Sequence, residues 1–513
     1  MAVPKNMKFS FTRNVAVLTA VTLLSVVGQV EAAVVRAKSV LLTDVRSAVD
    51  SARDGDTVIV PPGTASWTST FTITKGITLQ GAGNERTVIL DNIRRSGAVQ
   101  TVVRIRLTPT QSFRLSGFTF RPGSLTTSGS YGVYVEGKSP SVRIDHCHFA
   151  KLYRAQYVRT VGWLYGVIDH CVFDCRAQLQ SILIFHDGWG DKTDGDGSWA
   201  EPPYFGSEKF IFIEDNIINN AAGPTQVTAS IDGWAGSRYV CRYNTFNDTV
   251  ATNHGLESTR RRRGCRVTEI YHNTFNFPRL PPVSGLCRSG TMLVYDNIWT
   301  SNPSGGKALK CFRQTHAFQP WGGANGNNPW DSNDPHGRYA TGKHGGANRS
   351  RTLVVPNAGW TPNQWVDYSL TNTVTGFFSF IKSNTRDTIT YAYDSTLGTP
   401  LAFNYGDGFA IYKLLAALDQ PGRGQGDLIS GGDDFPVNTA TNLASWAHQA
   451  LEPIYSWNNT YNGIWLNVSA GLTPYPTIKE NRDFYNHTPK PGYRPYIYPH
   501  PLVSGTPYTP RMP

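Results

Sequence analysis

Along the middle of the chain, apolar and polar residues alternate in short stretches, and Gly- and Asn-containing turns separate them. A period of two predicts short half-buried β-strands, and no helical period competes with it. Six segments align without gaps. They are Ile144-Asp-His-Cys-His-Phe149, Ile168-Asp-His-Cys-Val-Phe173, Ile213-Glu-Asp-Asn-Ile-Ile218, Cys241-Arg-Tyr-Asn-Thr-Phe246, Ile270-Tyr-His-Asn-Thr-Phe275 and Val294-Tyr-Asp-Asn-Ile-Trp299. Their fourth residues, Cys147, Cys171, Asn216, Asn244, Asn273 and Asn297, are separated by 24, 45, 28, 29 and 24 residues. The long interval holds one loop, Asp187 to Ser207, and Leu115 to Phe120 fits the pattern more loosely. Repeats of this length with a recurring Asn predict a parallel β-solenoid. A buried Asn at one corner of each coil can bond the backbone of its own turn and the Asn above and below, satisfying groups that are costly to leave unpaired. Cys147 and Cys171 take the same column in the first two coils. Cys241, Cys265, Cys287 and Cys311, spaced 24, 22 and 24 residues apart, read as small core residues, one per coil.

After Cys311 the texture changes. Gln319 to Asn348 is rich in Gly, Asn and Pro and reads as a long loop. Arg351 to Leu414 alternates β-formers with turns and reads as a small β-domain. Ile454 to Tyr461 then returns to the Asn-Thr-aromatic signature, so the solenoid is expected to resume near Leu451. The Pro- and Tyr-rich end, Lys490 to Pro513, is expected to lie extended along the coils.

Asp44 to Val49, Ala52-Arg-Asp-Gly-Asp-Thr-Val-Ile-Val-Pro-Pro-Gly63 and Ile77-Thr-Leu-Gln-Gly-Ala-Gly83 resemble the opening of secreted proteins of the pectate lyase-like superfamily. The resemblance implies an all-β chain: a right-handed parallel β-helix with an N-terminal capping helix and an inserted small β-rich domain. The organisation expected is a signal peptide over 1–32, the β-helix over 33–318, a loop and inserted β-rich region over 319–450, and final coils with an extended tail over 451–513. The superfamily includes lyases, hydrolases, epimerases and tailspike-like proteins, so activity has to be argued from a site.

Composition sharpens this picture. Charged residues are only 17% and aromatics 12%, with 49 Gly, which excludes a disordered chain and a coiled coil. The net charge of +11 favours a polyanionic partner. Lys5, Lys8 and Arg13 precede an apolar run from Val15 to Val27, and Val30-Glu31-Ala32 supplies a cleavage point, so a secretory signal is expected. Export directs the positive charge toward acidic polysaccharide rather than nucleic acid. A monomeric extracellular or periplasmic protein without a membrane span is expected. The seven Cys contain no Cys-x-x-Cys pair, which speaks against zinc.

The interior of such a coil is filled, so chemistry is expected on one outer face. Asp187 lies sixteen residues after Cys171, and Asp232 sixteen after Asn216. Equal offsets predict two carboxylates on adjacent strands, ~4.8 Å apart. The next coil adds His254, Glu257 and Arg260 to Arg263. The catalytic set read from this patch is His254, Arg260, Arg266, Asp232, Glu257 and Glu269, with Trp189, Trp234, Arg262 and Arg263 contacting substrate. The plainer alternative is that Asp-Gly makes turns and the Arg run is a solvated rim.

The loop from Asp187 to Gly197 places Asp187, Asp191, Asp194 and Asp196 among glycines, a set suited to Ca²⁺. Asn253 to Arg260 resembles a Gly-Glu-x-x-Arg stretch of the alginate and chondroitin lyase group. The other pieces of that group's pattern are missing, so no residue role carries over. The expected activity is β-elimination on a uronate-containing glycan, with His254 or an Arg as base. A hydrolase would pair Asp187 with Asp232 or Glu257. A non-catalytic glycan binder would use Trp189, Trp199 and Trp234 as platforms.

Overall fold

The computed structural model describes residues 32–94, 100–125, 131–152, 156–175, 181–220, 228–255, 263–279, 287–302, 310–311, 338–366, 368–392, 401–413, 419–426, 428, 449–470 and 478–505. The expected signal segment thus lies outside the described residues up to position 31, as do Glu257, Arg260 and Arg262. Among the described residues, no helix is long and apolar enough to cross a membrane.

Strands stack in parallel on three faces of a right-handed β-helix. Face one includes Ile211–Glu214, Arg238–Arg242 and Val267–Tyr271. Face two includes Ile217–Asn220, Thr245–Asn247 and Thr274–Phe277. Face three includes Ile182–Phe185, Thr228–Trp234 and Thr249–Asn253. Two long strands, Val133–Asp145 and Val158–Asp169, run from face three into face one, so the two faces share one 17-stranded hydrogen-bonded sheet. The helix Leu42–Ser51 buries Val45, Ala48 and Val49 against the core. Lys75 Nζ donates to the carbonyls of Val49, Asp50 and Ala52 at its C-terminal end, where a cation meets unsatisfied acceptors.

The Asn repeat forms a continuous internal ladder. Each rung's Oδ1 accepts from the backbone N–H and side-chain amide of the rung before it: Asn244 from Asn216, Asn273 from Asn244, and Asn297 from Asn273, all at 2.9–3.0 Å. Each Nδ2 also donates to a carbonyl of its own coil, for example Asn244 to Arg242 at 2.9 Å. The residue before each rung turns the corner in the left-handed region, as at Asp215 (φ 57°) and Tyr243 (φ 57°). Cys147, Cys171, Cys175, Cys241, Cys265 and Cys287 are buried free thiols.

Residues 338–413 contribute a six-stranded antiparallel sheet with its own core around Leu353, Leu370, Ile389, Phe403 and Ile411. Beyond it, Ile454–Trp457 pairs in parallel with Thr291–Tyr295, and Asn459 accepts from Asn297 as the next rung. The C-terminal segment then crosses the outside of face one. Arg143 donates to the Leu502 carbonyl, and Arg242 donates to those of Tyr496 and Ile497.

Candidate functional site

Face three carries an outward-pointing row of cations and aromatics. In register across successive strands lie Arg104, Tyr134, Arg159, Leu183, Asp232 and Thr252. A second row, two residues on, holds Arg106, Glu136, Val161, Phe185 and Trp234. The alternation Asp232-Gly233-Trp234 sets this arrangement. Gly233 faces inward, where a Cβ would meet Ser237 Oγ at 2.4 Å and Cys265 Sγ at 3.0 Å, while its neighbours point out.

Asp232 is the centre of the site. Its buried carboxylate accepts from Trp234 Nε1 at 2.9 Å and from the Arg288 guanidinium at 3.2 Å, and it meets His254 Nδ1 at 3.0 Å. Burial opposes its ionisation, but Arg288, His254 and Trp234 more than offset this and hold the carboxyl below the usual carboxylate range. The Trp234 and His254 rings stack at 3.5 Å, 15° from parallel. Arg288 also donates to the Asn253 carbonyl at 2.7 Å. An Asp on Nδ1 selects the tautomer protonated there and leaves Nε2 as the basic atom, the arrangement a general base requires.

Arg159 lies two strands from Asp232, or ~10 Å at ordinary strand spacing. Its guanidinium sits over Phe185 (4.2 Å), Tyr131 (4.7 Å) and Tyr134 (5.6 Å) and donates to the Tyr131 hydroxyl. Among the described residues no carboxylate pairs with it. Neither Arg159 nor Arg288 was singled out in the sequence. Arg288 was legible through its place directly after Cys287 in the coil-spaced cysteine series. Arg159 had no signal beyond alternation.

Several expected site residues sit elsewhere. Asp232 pairs with Leu183, not Asp187, because Ile231 lies 15 residues after Asn216 while its partner Ile182 lies 11 after Cys171. The turn between faces two and three is four residues longer, so equal offsets give unequal registers. Arg266 is buried and bidentate to Glu452 at 2.7 and 3.0 Å. Glu269 is buried on face one, where Tyr493 and the Gly206 N–H donate to it. Trp189 packs in the interior against Trp163 and Tyr165, and is therefore no sugar platform. Trp199 is also fully buried, with the Arg263 guanidinium 4.8 Å from its ring. Arg263 is itself buried between Asp196 and Asp419, at 2.8 Å from each.

The four loop aspartates diverge. Asp191 is exposed and pairs with Lys138, Asp196 is held by Arg263, Asp194 accepts from the Arg263 N–H through its carbonyl, and Asp187 lies past the end of its strand. Among the described residues no three His, Cys, Asp or Glu side chains are grouped to hold a metal ion.

No family model and no curated protein matches the chain. Solved structures similar to it include two of low identity. An alginate lyase from Paenibacillus sp. str. FPU-7 is 13% identical over 55% of this chain and 93% of its own, with a TM-score of 0.33. ORF18 of Geobacillus virus E2 is 14% identical over 70% of this chain and 74% of its own, with a TM-score of 0.27. At these scores neither likeness carries an argument about activity.

Proposed function

We propose that the protein is a polysaccharide lyase that cleaves a polyuronate by β-elimination on the outside of face three. The reading rests on one observation: an Asp-oriented histidine lies on the same sheet face as a guanidinium that has no carboxylate partner among the described residues, and the Asp is in register with that guanidinium. His254 Nε2 removes the proton α to the uronate carboxylate. The electron pair forms the new carbon–carbon double bond, and the bond to the 4-linked oxygen breaks. That oxygen leaves with a proton from solvent or from the imidazolium. Asp232 stabilises the imidazolium and fixes the ring. Arg288, beside it, neutralises the carboxylate of the reacting sugar, and Arg159 binds that of a neighbouring sugar. Two cations along one chain of sugars favour a polymer with acidic groups on neighbouring residues.

The test is absorbance of unsaturated product from a panel of uronate polymers. The wild-type protein is expected to form product from one of them, and His254→Ala to lose at least ~10²-fold in turnover with its melting temperature retained. Glycan binding by the wild-type protein without product from any polymer would make this a binding surface and end the lyase assignment.

A further inference from the structure

Next to the Arg106–Glu136–Val161 row is a cavity of about 480 Å³. Its lining includes Leu107, Gly137, Gly162 and Gly188, with Arg106, Glu136, Lys138 and Asp191 also contributing. Its size falls within the range of pockets that hold small ligands.

The lining glycines are bare for different reasons. Gly137 (φ 108°) and Gly162 (φ 117°) are demanded by the backbone. A Cβ on either would lie 2.2 Å from a carbonyl oxygen, of Leu107 and Gly137 respectively. Gly188 is not demanded. Its φ of −97° suits any residue, and a Cβ there would meet nothing closer than 3.7 Å. Folding therefore does not require a glycine at 188, a position that lines the cavity.

The polar lining is internally paired. Arg106 donates to Glu136 at 2.6 Å, and Lys138 is bonded to Asp191. Glu136 also accepts from Arg104 at 2.8 and 3.0 Å, so both carboxylates of the lining are paired with cations, whereas Arg159 has no carboxylate partner among the described residues. Paired charges offer acceptors and donors side by side, the pattern that vicinal hydroxyls satisfy. The glycines and Val161 give an apolar surface for the C–H face of a ring.

We infer that this cavity is a distal subsite for one pyranose ring of the substrate, recognised through its hydroxyls and ring face rather than its carboxylate. The inference rests on the reading of face three as the polymer's path. Glu136 lies three strands from Trp234 in the same row, ~14 Å, so the sugar it holds is separated from the reacting one by intervening residues of the chain. Short oligosaccharides cannot occupy both places, and longer ones can.

Titrations with di- to hexasaccharides of galacturonate and of mannuronate, on His254→Ala to prevent turnover, test this. With Gly188 intact, affinity is expected to step up at a defined length. Adding Gly188→Leu fills the cavity and is expected to abolish that step, roughly tenfold or more, while leaving the disaccharide unchanged. Lys138→Ala, which removes one side of the lining, is expected to weaken the same step and guards against misfolding of the leucine variant. A length step that survives both substitutions overturns the subsite while leaving the lyase reading intact. No binding of any oligosaccharide at any length removes both.

Discussion

Faces one and three are made of the same alternating strands, yet their outward charges have opposite fates. On face one the C-terminal segment and the loop before Ile211 lie over the sheet. Arg242 and Glu214 are fully buried there, paired at 2.6 Å, and completed by the Tyr496 and Ile497 carbonyls and the His500 N–H. Glu269 shares an apolar row with Val240 and Leu293. Burial among those neighbours pushes its carboxyl up to about 7, against the donors Tyr493 and Gly206. On face three no such cover lies over Arg159 among the described residues, and it remains half-buried among aromatic rings. The contrast teaches that a charge on this solenoid is structural or available for ligands according to what covers it locally: on face three itself Asp232 and His254 are buried while Arg159 is half-buried.

The sharpest way to break this comparison is Arg242→Ala. If the covered face is structural, the variant leaves Glu214 buried without its cation and should lose about 3–5 kcal/mol in denaturant unfolding. A loss below about 1 kcal/mol would mean that the C-terminal segment does not seal the face.

Glu269 gives the next effect. Its native pKa is raised above its unfolded value, so the native state binds the proton more tightly. The stability that protonation contributes is complete below pH ~4.5 and is lost as pH rises through about 7. Glu269→Gln should flatten that decline, worth on the order of 1–3 kcal/mol between the two limits, in unfolding midpoints measured from pH 4 to 8. An unchanged slope would place the pH dependence elsewhere.

The smallest stability effect is expected on the open face. Arg159→Gln should leave unfolding within about 0.5 kcal/mol of wild type, the scale of surface substitutions. It should still weaken polyuronate binding, with the residual affinity less sensitive to salt because one screened charge contact is gone. A large stability loss with binding intact would make Arg159 a face-one kind of residue.

The sequence carried the helix architecture because the fold is nearly one-dimensional. Asn216, Asn244, Asn273 and Asn297 each meet only their neighbours above and below, so their spacing in the chain is their spacing in space. The Asp232–His254 pair was legible for a related reason, since Asp232 lies on one strand of face three and His254 directly follows the adjacent strand. Asp187 was misplaced because turn lengths between faces differ from coil to coil, and a four-residue difference breaks a count made from the ladder. Arg266, Glu269 and Trp189 were misplaced because period-two alternation tells inside from outside, not an open outside from a covered one.

What the sequence determined by itself, then, is the coil, its direction of stacking and the polar ladder that fixes one corner, all consequences of local alternation and a repeated amide. Only the tertiary structure decided which outward residues meet. Strand register across unequal turns brought Arg288 to Asp232 and left Asp187 aside. The return of residues 490–505 from far along the chain turned face one into core. Both depend on contacts between segments distant in sequence, where the free energy of burying apolar surface and pairing desolvated charges is set by the partner rather than by the segment itself.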